Sequence, residues 1–187
     1  MRRESFPLWR FSLRTYRQRG VAEACLALQD DCVVDVNLLL YRCWLGSERR
    51  RLSAREARSA MNAVGRWQRE VVQPLRQARR AIRKDPAGKT AEATLLLRQK
   101  IAAAELDAEH LEQQLLDAEA SRMPAATGNG ATPETIAAAN LGRYFAALGV
   151  APGRRLQRHL QTLADAIAVS AAKLEPSPRN TPGGDSP

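Results

Sequence analysis

Apolar residues recur along this chain every three or four positions, the spacing of amphipathic helices. A first helix is expected to begin at Pro7 and end at Gly20, because proline suits a first helical turn and glycine a helix end. A second should end at Asp30–Asp31, and a third should run from an Asp35 N-cap to Gly46. Since the third helix is apolar on almost every side, we expect it to be the buried central helix.

A capping box at Ser53–Glu56 predicts a long helix to about Arg83, which Pro74 should kink. After a turn at Asp85–Gly88, a second long helix is expected over about Thr90–Ala120. Its apolar residues alternate four and three positions apart and form a heptad seam: Leu97, Ile101, Ala104, Ala108, Leu111, Leu115 and Ala118. We expect an antiparallel hairpin packed through this seam, with coiled-coil self-association as the competing use of the same residues.

The C-terminal part of the chain predicts two further helices after a small-residue loop at Met123–Ala131. Thr132 and Pro133 mark the start of the first, and the second should run from about Gly153 to Leu174. The fold class is therefore all-α: a single domain over residues 1–174, with a disordered tail at 175–187. Its expected parts are a three-helix unit at 6–46, a hairpin at 53–120 and the C-terminal helices at 132–174. Only short pieces such as Cys32–Val36 look β-like.

The net charge of +9 suggests a nucleic-acid partner, but its distribution weakens that interpretation. Residues 53–84 hold nine basic and two acidic side chains, and residues 85–120 hold three basic and eight acidic ones. If these two segments pack together, much of the charge is internally compensated, with the remaining carboxylates on solvated faces. Uncompensated positive charge is left at the N-terminus and in Arg49, Arg50 and Arg51.

Three cysteines without a Cys-x-x-Cys pair indicate reduced thiols in a cytoplasmic protein. The basic start lacks the apolar core of a secretory signal, and no apolar run is long enough for a transmembrane helix. The two histidines are far apart in sequence, so we expect no metal and no cofactor.

The densest stretch, Phe6 to Gly46, contains six of the nine aromatic residues, and polar residues interrupt its apolar third helix. Two interpretations stay open for the candidate site at Asp35, Asn37, Arg42 and Trp44. In the structural one, Arg42 pairs with Asp30, Asp31 or Asp35 and Asn37 satisfies a helix end. In the functional one, these polar residues line a pocket floored by Trp44.

The first helix offers a second candidate surface. Trp9 together with Arg10 and the following arginines could bind RNA or an anionic membrane surface. The simpler interpretation is that Trp9, Leu13 and Tyr16 form an inward face while the arginines are solvated.

The block from Leu8-Trp9-Arg10-Phe11-Ser12 through Asp35-Val36-Asn37-Leu38-Leu39 to Trp44-Leu45-Gly46, with a later Trp67 to Arg76 segment, carries a resemblance. It resembles a family of small uncharacterised proteobacterial proteins catalogued as a domain of unknown function (domain of unknown function 2390). The resemblance implies a helical, bacterial, cytoplasmic protein and brings no activity, ligand or site residue with it.

The chain shows no catalytic motif, so we expect a non-enzymatic binding or adaptor protein that acts on a macromolecular partner. A protein partner fits the long helical surface, and an RNA- or ribosome-associated role is the alternative that the arginines support. An enzyme or small-molecule binder is the third hypothesis, and it requires a polar pocket near Asp35, Asn37 and Arg42.

Overall fold

The computed structural model describes residues 5–32, 34–84, 91–123, 130–151 and 153–172. Every regular element in these ranges is helical and none is a strand, which confirms the all-α class. The elements are α1 (Pro7–Tyr16), α2 (Val21–Cys32), α3 (Val36–Ser47), α4 (Ala54–Trp67), a π-helical turn (Gln68–Val72), α5 (Gln73–Lys84), α6 (Ala91–Ser121), α7 (Pro133–Ala147) and α8 (Arg154–Ala172). The turn predicted at 85–88, most of the loop at 123–131 and the tail at 175–187 lie outside the described residues.

Helix α3 is the centre of the fold, as its apolar pattern predicted. Every residue of this helix from Asn37 to Gly46 is buried. Asp35 caps the helix, because its carboxylate accepts the backbone N–H groups of Asn37 and Leu38. The helix packs most extensively against α7 and also contacts α1, α6 and α8.

Gly46 does not end α3, which continues to Ser47. Its role is to permit close approach: a Cβ at this position would lie 2.4 Å from the Cβ of Ala137 on α7. Such a separation is well inside van der Waals contact, so α3 and α7 can pack at this distance only with a glycine here.

Helices α4 and α5 form one long helical segment interrupted by the π-helical turn directly before Pro74. The capping box at its start is present, with reciprocal hydrogen bonds between Ser53 and Glu56. Within the interruption the Gln73 N–H donates to the Gln68 carbonyl, five residues back. The missing N–H of proline is thus accommodated by a π-helical turn, a common form of break in a long helix.

Helix α6 lies antiparallel to the α4–α5 segment. Trp67 donates from Nε1 to the Ala108 carbonyl at 3.0 Å, whereas further along α5 the partner of Arg76 is Glu105. At the C-terminal end, helices α7 and α8 pack on each other. The Thr132 hydroxyl caps α7 by accepting the Thr135 N–H, as predicted.

The face that α6 turns inward differs from the predicted heptad seam. Leu97, Leu111 and Leu115 of that seam are exposed by 51%, 36% and 43%. The buried positions of α6 are mainly polar: Glu105, Ala108, His110, Glu112, Gln113, Leu116 and Ala120. The expectation that the carboxylates lie on solvated faces is therefore wrong for Glu105 and Glu112.

Two local expectations near the N-terminus also need correction. Helix α2 extends through Cys32, so this residue is helical and not β-like. In α1 the buried residues are Leu8, Trp9, Phe11, Ser12 and Thr15, whereas Leu13 and Tyr16 are exposed by 42% and 37%. Helix α1 is short and contacts several neighbouring helices. Its buried surface is therefore wider than a single stripe of large apolar residues.

Candidate functional site

A cleft of about 390 Å³ opens between α1, α2, α3, α5 and α6. Its large apolar and aromatic lining residues are Trp9, Leu13, Tyr16, Leu26, Leu40 and Leu106. Its polar lining residues come mainly from α5 and α6. A concave site with an apolar wall and a few converging polar groups is the usual form of a ligand-binding site.

The polar lining is organised by an arginine–glutamate cluster that joins α5 to α6. Arg76 donates from Nε to Glu105 Oε1 at 3.0 Å and from Nη2 to Glu109 Oε1 at 2.6 Å. Arg79 donates to the second oxygen of Glu105. Both partners of the Arg76–Glu105 pair are buried, so each needs the other to remain charged.

The two glutamates of this cluster have pKa shifts of opposite sign. Burial raises the pKa of Glu109, and this exceeds the opposing attraction of Arg76. Burial also acts to raise the pKa of Glu105, but hydrogen bonds from Arg79 and Arg76 outweigh it and lower that pKa. Glu105 is thus the fixed anion of the cluster, and its charge is shared by two guanidinium groups.

Five polar atoms on residues lining the cleft are buried without a hydrogen-bond partner in the protein. They are Ser12 Oγ, Gln29 Nε2, Arg76 Nη1, Arg98 Nε and Gln113 Oε1. Buried polar atoms in native structures are almost always satisfied, so five around one cleft call for an explanation. A second cleft of about 500 Å³, between α4 and α7, is lined by no residue with such an atom among those described.

Asn37 connects the cleft to a network beneath it. Its Nδ2 donates to Glu112 Oε2 at 2.6 Å, and its Oδ1 accepts from Gln113 Nε2 at 2.8 Å. Burial, followed by the negative charge of Asp35, raises the pKa of Glu112 far above its ordinary value. The raised pKa favours the protonated form of Glu112, which can donate to the hydrogen bond that couples it to Asp35. Asn37 does not satisfy a helix end.

Arg42 lies outside the cleft, in the core between α3, α4 and α7. Its guanidinium donates to the carbonyls of Leu38 at 3.1 Å and Ala57 at 3.5 Å, and its Cζ stacks 4.1 Å from the centre of the Tyr144 ring. Burial lowers its pKa. Trp44 is also buried and does not line the cleft, so a pocket floored by Trp44 was the wrong geometry.

The predicted ion pair of Arg42 with a nearby aspartate is wrong. Asp30 pairs with Arg80 at 3.1 Å, and Asp31 pairs with Arg155 at 3.3 Å. Asp35 is occupied as the α3 cap. The positive charge of Arg42 is held instead by carbonyl dipoles and by an aromatic face, a recognised environment for a guanidinium.

Trp9 points inward and Arg10 outward. The Trp9 ring packs edge-on against His110 with ring centres 4.8 Å apart, and Phe6 contacts the same imidazole at 5.1 Å. Arg10 is exposed and donates to the Ser5 carbonyl at 3.3 Å. The two side chains therefore do not form one basic aromatic surface.

The three consecutive arginines after α3 have different roles. Arg49 adopts a left-handed conformation with φ 55° and donates to the Ala131 carbonyl at 3.2 Å. Arg50 is half-buried and donates to the carbonyls of Ala120 and Met123 at the C-terminal end of α6, where a cation is favourable. Arg51 is exposed.

The cysteines do not contribute to the cleft. Cys25 and Cys43 are buried, and burial raises the pKa of the Cys25 thiol to about 12. Both are therefore neutral thiols at physiological pH and poor nucleophiles. The described residues hold no cluster of three or more His, Cys, Asp or Glu side chains that could bind a metal ion. Nor does any helix in the described ranges have the length and apolar character needed to cross a bilayer.

The cleft and its network lie entirely between Trp9 and Gln113. A family model with the description "Protein of unknown function (DUF2390)" matches residues 7–116, more than half of the chain. The chain belongs to this family. Among curated proteins and solved structures, no match was found. The segment that defines DUF2390 membership here is thus the segment that supplies every residue lining the cleft.

Several cleft residues were not singled out from the sequence. Of the predicted site residues only Trp9 and Asn37 line it. The available signal was on α6, where Glu105, Glu109 and Glu112 follow one another at intervals of four and three. Gln113 lies four residues after Glu109, so all four share one helical face. A polar stripe complementary to Arg76 on the preceding helix could have predicted the pairing.

Proposed function

We propose that this DUF2390 protein is a non-enzymatic binding protein whose ligand occupies the cleft between α1, α3, α5 and α6. The observation that carries the proposal is the set of five buried polar atoms on cleft residues that no protein group satisfies. Leaving such atoms unpaired costs free energy, and a bound molecule with matching groups would recover it.

The chemistry of the lining favours binding over catalysis. The described residues around the cleft supply guanidinium, amide, hydroxyl and carboxylate groups, with no cysteine or histidine among them. Glu105 and Glu109 are both held by Arg76 in ion pairs that join α5 to α6. Polar groups that accompany apolar lining residues in this way match the usual composition of a ligand-binding site.

Ligand capture from a bacterial lysate tests this proposal. Purified protein is incubated with lysate, and native mass spectrometry then identifies small molecules that remain bound. We expect an adduct on the wild type that is absent from Ala102→Phe, because Ala102 lines the cleft and a phenyl group would fill it. Ala138→Phe, on an exposed position of α7, is the matched control and should keep the adduct. Identical adducts on all three proteins would contradict a ligand in the cleft.

A macromolecular partner is the second candidate, and a specific observation favours it. On the side of α6 away from the cleft, Leu97, Leu111 and Leu115 share one helical face and are exposed by 51%, 36% and 43%. Exposed apolar side chains that share one helical face commonly mark a protein-binding surface. The same leucines could serve self-association through the predicted seam.

Affinity capture with nuclease treatment separates this candidate from RNA binding. A protein partner held by α6 should survive nuclease and be lost from a Leu111→Gln/Leu115→Gln double variant. RNA binding predicts loss on nuclease treatment and a steep fall of affinity with salt. RNA binding has the weaker support, because Arg50 and Arg76 already contact groups within the protein. A cytoplasmic location in a bacterium, suggested by the free cysteines and the resemblance, completes the proposal.

A further inference from the structure

From the distribution of donors, charge and apolar surface in the cleft, we infer that its ligand is an organic monoanion with a carboxylate head and an apolar or aromatic body. This inference rests on the proposed function, since it names the class of molecule that the same cleft would bind.

The unsatisfied atoms of the cleft are mostly hydrogen-bond donors. Arg76 Nη1, Arg98 Nε and Gln29 Nε2 can only donate, and the Ser12 hydroxyl can donate or accept. Gln113 Oε1 is the acceptor among them. A head group matched to this set must offer several acceptor lone pairs and few protons, as a carboxylate does.

Arg76 is the best-fixed of these donors. Its side chain is 8% exposed, and two of its nitrogens are held by Glu105 and Glu109. The remaining nitrogen, Nη1, is buried without a partner on a residue that lines the cleft. The glutamates thus orient the guanidinium and leave Nη1, with its two N–H groups, without a partner on a cleft residue, which makes it a preorganised donor.

The charge of the lining indicates a single negative charge on the ligand. The lining holds three guanidinium groups, of Arg76, Arg79 and Arg98, and two carboxyl groups, of Glu105 and Glu109. With both carboxyl groups ionised, one positive charge remains unbalanced. The ion pairs of the cluster engage Arg76 and Arg79 but not Arg98. Arg98 is half-buried with its Nε unsatisfied, and it is therefore the cation that a monoanion would neutralise.

The apolar lining residues of the cleft account for the second half of the ligand. Leu13, Tyr16, Leu26 and Leu106 line the cleft and are exposed by 42%, 37%, 47% and 39%. These large side chains come from α1, α2 and α6, so they line the same cleft because of how the helices meet. A ligand body of apolar or aromatic character would remove this surface from water, which is favourable. A free inorganic anion would leave it exposed.

A matched set of probes tests the class directly. Binding of 4-phenylbutyrate, 4-phenylbutanamide, 4-phenylbutylamine and acetate is measured by calorimetry at constant ionic strength. We expect 4-phenylbutyrate to bind at least about tenfold more tightly than the amide, since a hydrogen bond to a charged group contributes more than a neutral one. The amine should not bind, and acetate should bind more weakly than 4-phenylbutyrate for lack of the body.

Two arginine variants test whether the carboxylate of 4-phenylbutyrate binds at Arg98. Arg98→Gln should weaken 4-phenylbutyrate binding about tenfold, towards the affinity of the amide. Arg51→Gln removes the same charge from an exposed position outside the cleft and should leave the affinity unchanged. Thermal unfolding verifies that both variants are folded before binding is measured.

The outcomes separate this inference from the proposed function. Equal affinity for the acid and the amide, tighter binding of the amine, or an equal loss in Arg98→Gln and Arg51→Gln would overturn the monoanion class. If no probe binds, the class is likewise overturned, and the lysate adduct with its Ala102→Phe control still decides whether the cleft binds a ligand. Binding of 4-phenylbutyrate that is unaffected by Ala102→Phe would overturn both.

Discussion

Two neighbouring regions of this protein bury an arginine in different ways. In the α3–α7 core, Arg42 is fully buried, and carbonyl groups and the Tyr144 ring surround its guanidinium. At the cleft, Arg76 is ion-paired to α6 and stands among buried atoms that lack partners. Each guanidinium keeps one buried nitrogen without a partner, Arg42 Nε in the core and Arg76 Nη1 at the cleft. The first lies in a closed core and supports the fold, whereas the second belongs to a residue that lines an open space. Neither burial nor one unsatisfied atom therefore identifies a site; several such atoms on residues that line the same cleft do.

The largest expected effect on stability is in the α3–α7 core around Arg42. Arg42→Ala should lower the free energy of unfolding by about 3 kcal/mol, because it removes a fully buried side chain and leaves a cavity against Tyr144. Urea unfolding measures the loss. Arg42→Met keeps most of the volume without the buried charge and should lose at least about 1 kcal/mol less. An alanine variant as stable as the wild type would show that Arg42 does not support the core.

The next effect concerns the close packing of α3 on α7. Gly46→Ala should destabilise by about 2 kcal/mol, because the added methyl group would overlap Ala137 and push the helices apart. Gly65→Ala is the matched control within α4, where a Cβ would meet no atom within 4 Å. The control should stabilise by about 0.5–1 kcal/mol through helix propensity alone. Equal changes in both variants would contradict the close approach.

Glu112 lies between the two regions, and its protonation gives a pH-dependent effect. Burial and then Asp35 raise its pKa to about 10 in the folded protein, against about 4.3 when unfolded. Between these values the folded state keeps a proton that the unfolded state loses, so stability falls as pH rises. The slope is at most about 1.4 kcal/mol per pH unit.

Glu112→Gln should abolish this fall. The amide can donate to Asp35 and accept from Asn37 in the same way as the protonated acid. Unfolding free energies measured at pH 5.5 and 8.5 should therefore show that the stability of the variant relative to the wild type is greater at the higher pH. Glu92→Gln, at an exposed position of the same helix, should show the same change of unfolding free energy with pH as the wild type. Parallel behaviour of Glu112→Gln would mean that Glu112 is ionised in the folded protein.

The smallest effect on stability is expected at the cleft. Arg98→Gln should change the free energy of unfolding by no more than about 0.5 kcal/mol, because the Arg98 Nε has no partner to lose. The same substitution is expected to affect ligand binding, so stability and binding should separate at this residue. A large loss of stability in urea unfolding would place Arg98 among the structural residues and remove the contrast with Arg42.

The sequence predicted one of these regions better than the other. The burial of α3 and the Asp35 cap followed from helical periodicity and local capping chemistry. The partner of Arg42 did not, since the ring of Tyr144 lies about a hundred residues away along the chain. Of the cleft, Trp9 and Asn37 were singled out, but Arg76, Arg98 and Gln113 were not. Their significance depends on the meeting of α5 with α6, which no local pattern encodes.

By itself, the sequence determined the all-α class, the caps at Asp35, Ser53 and Thr132, and the burial of α3. These features depend on residues within one turn of each other or on a helix that is apolar all round. Tertiary structure decided which face of α6 is buried. That helix has both a leucine stripe and a polar stripe, and periodicity shows only which residues share a face. The inward face was settled by ion pairs and hydrogen bonds from Arg76 and Asn37, whose charge and amide required buried partners.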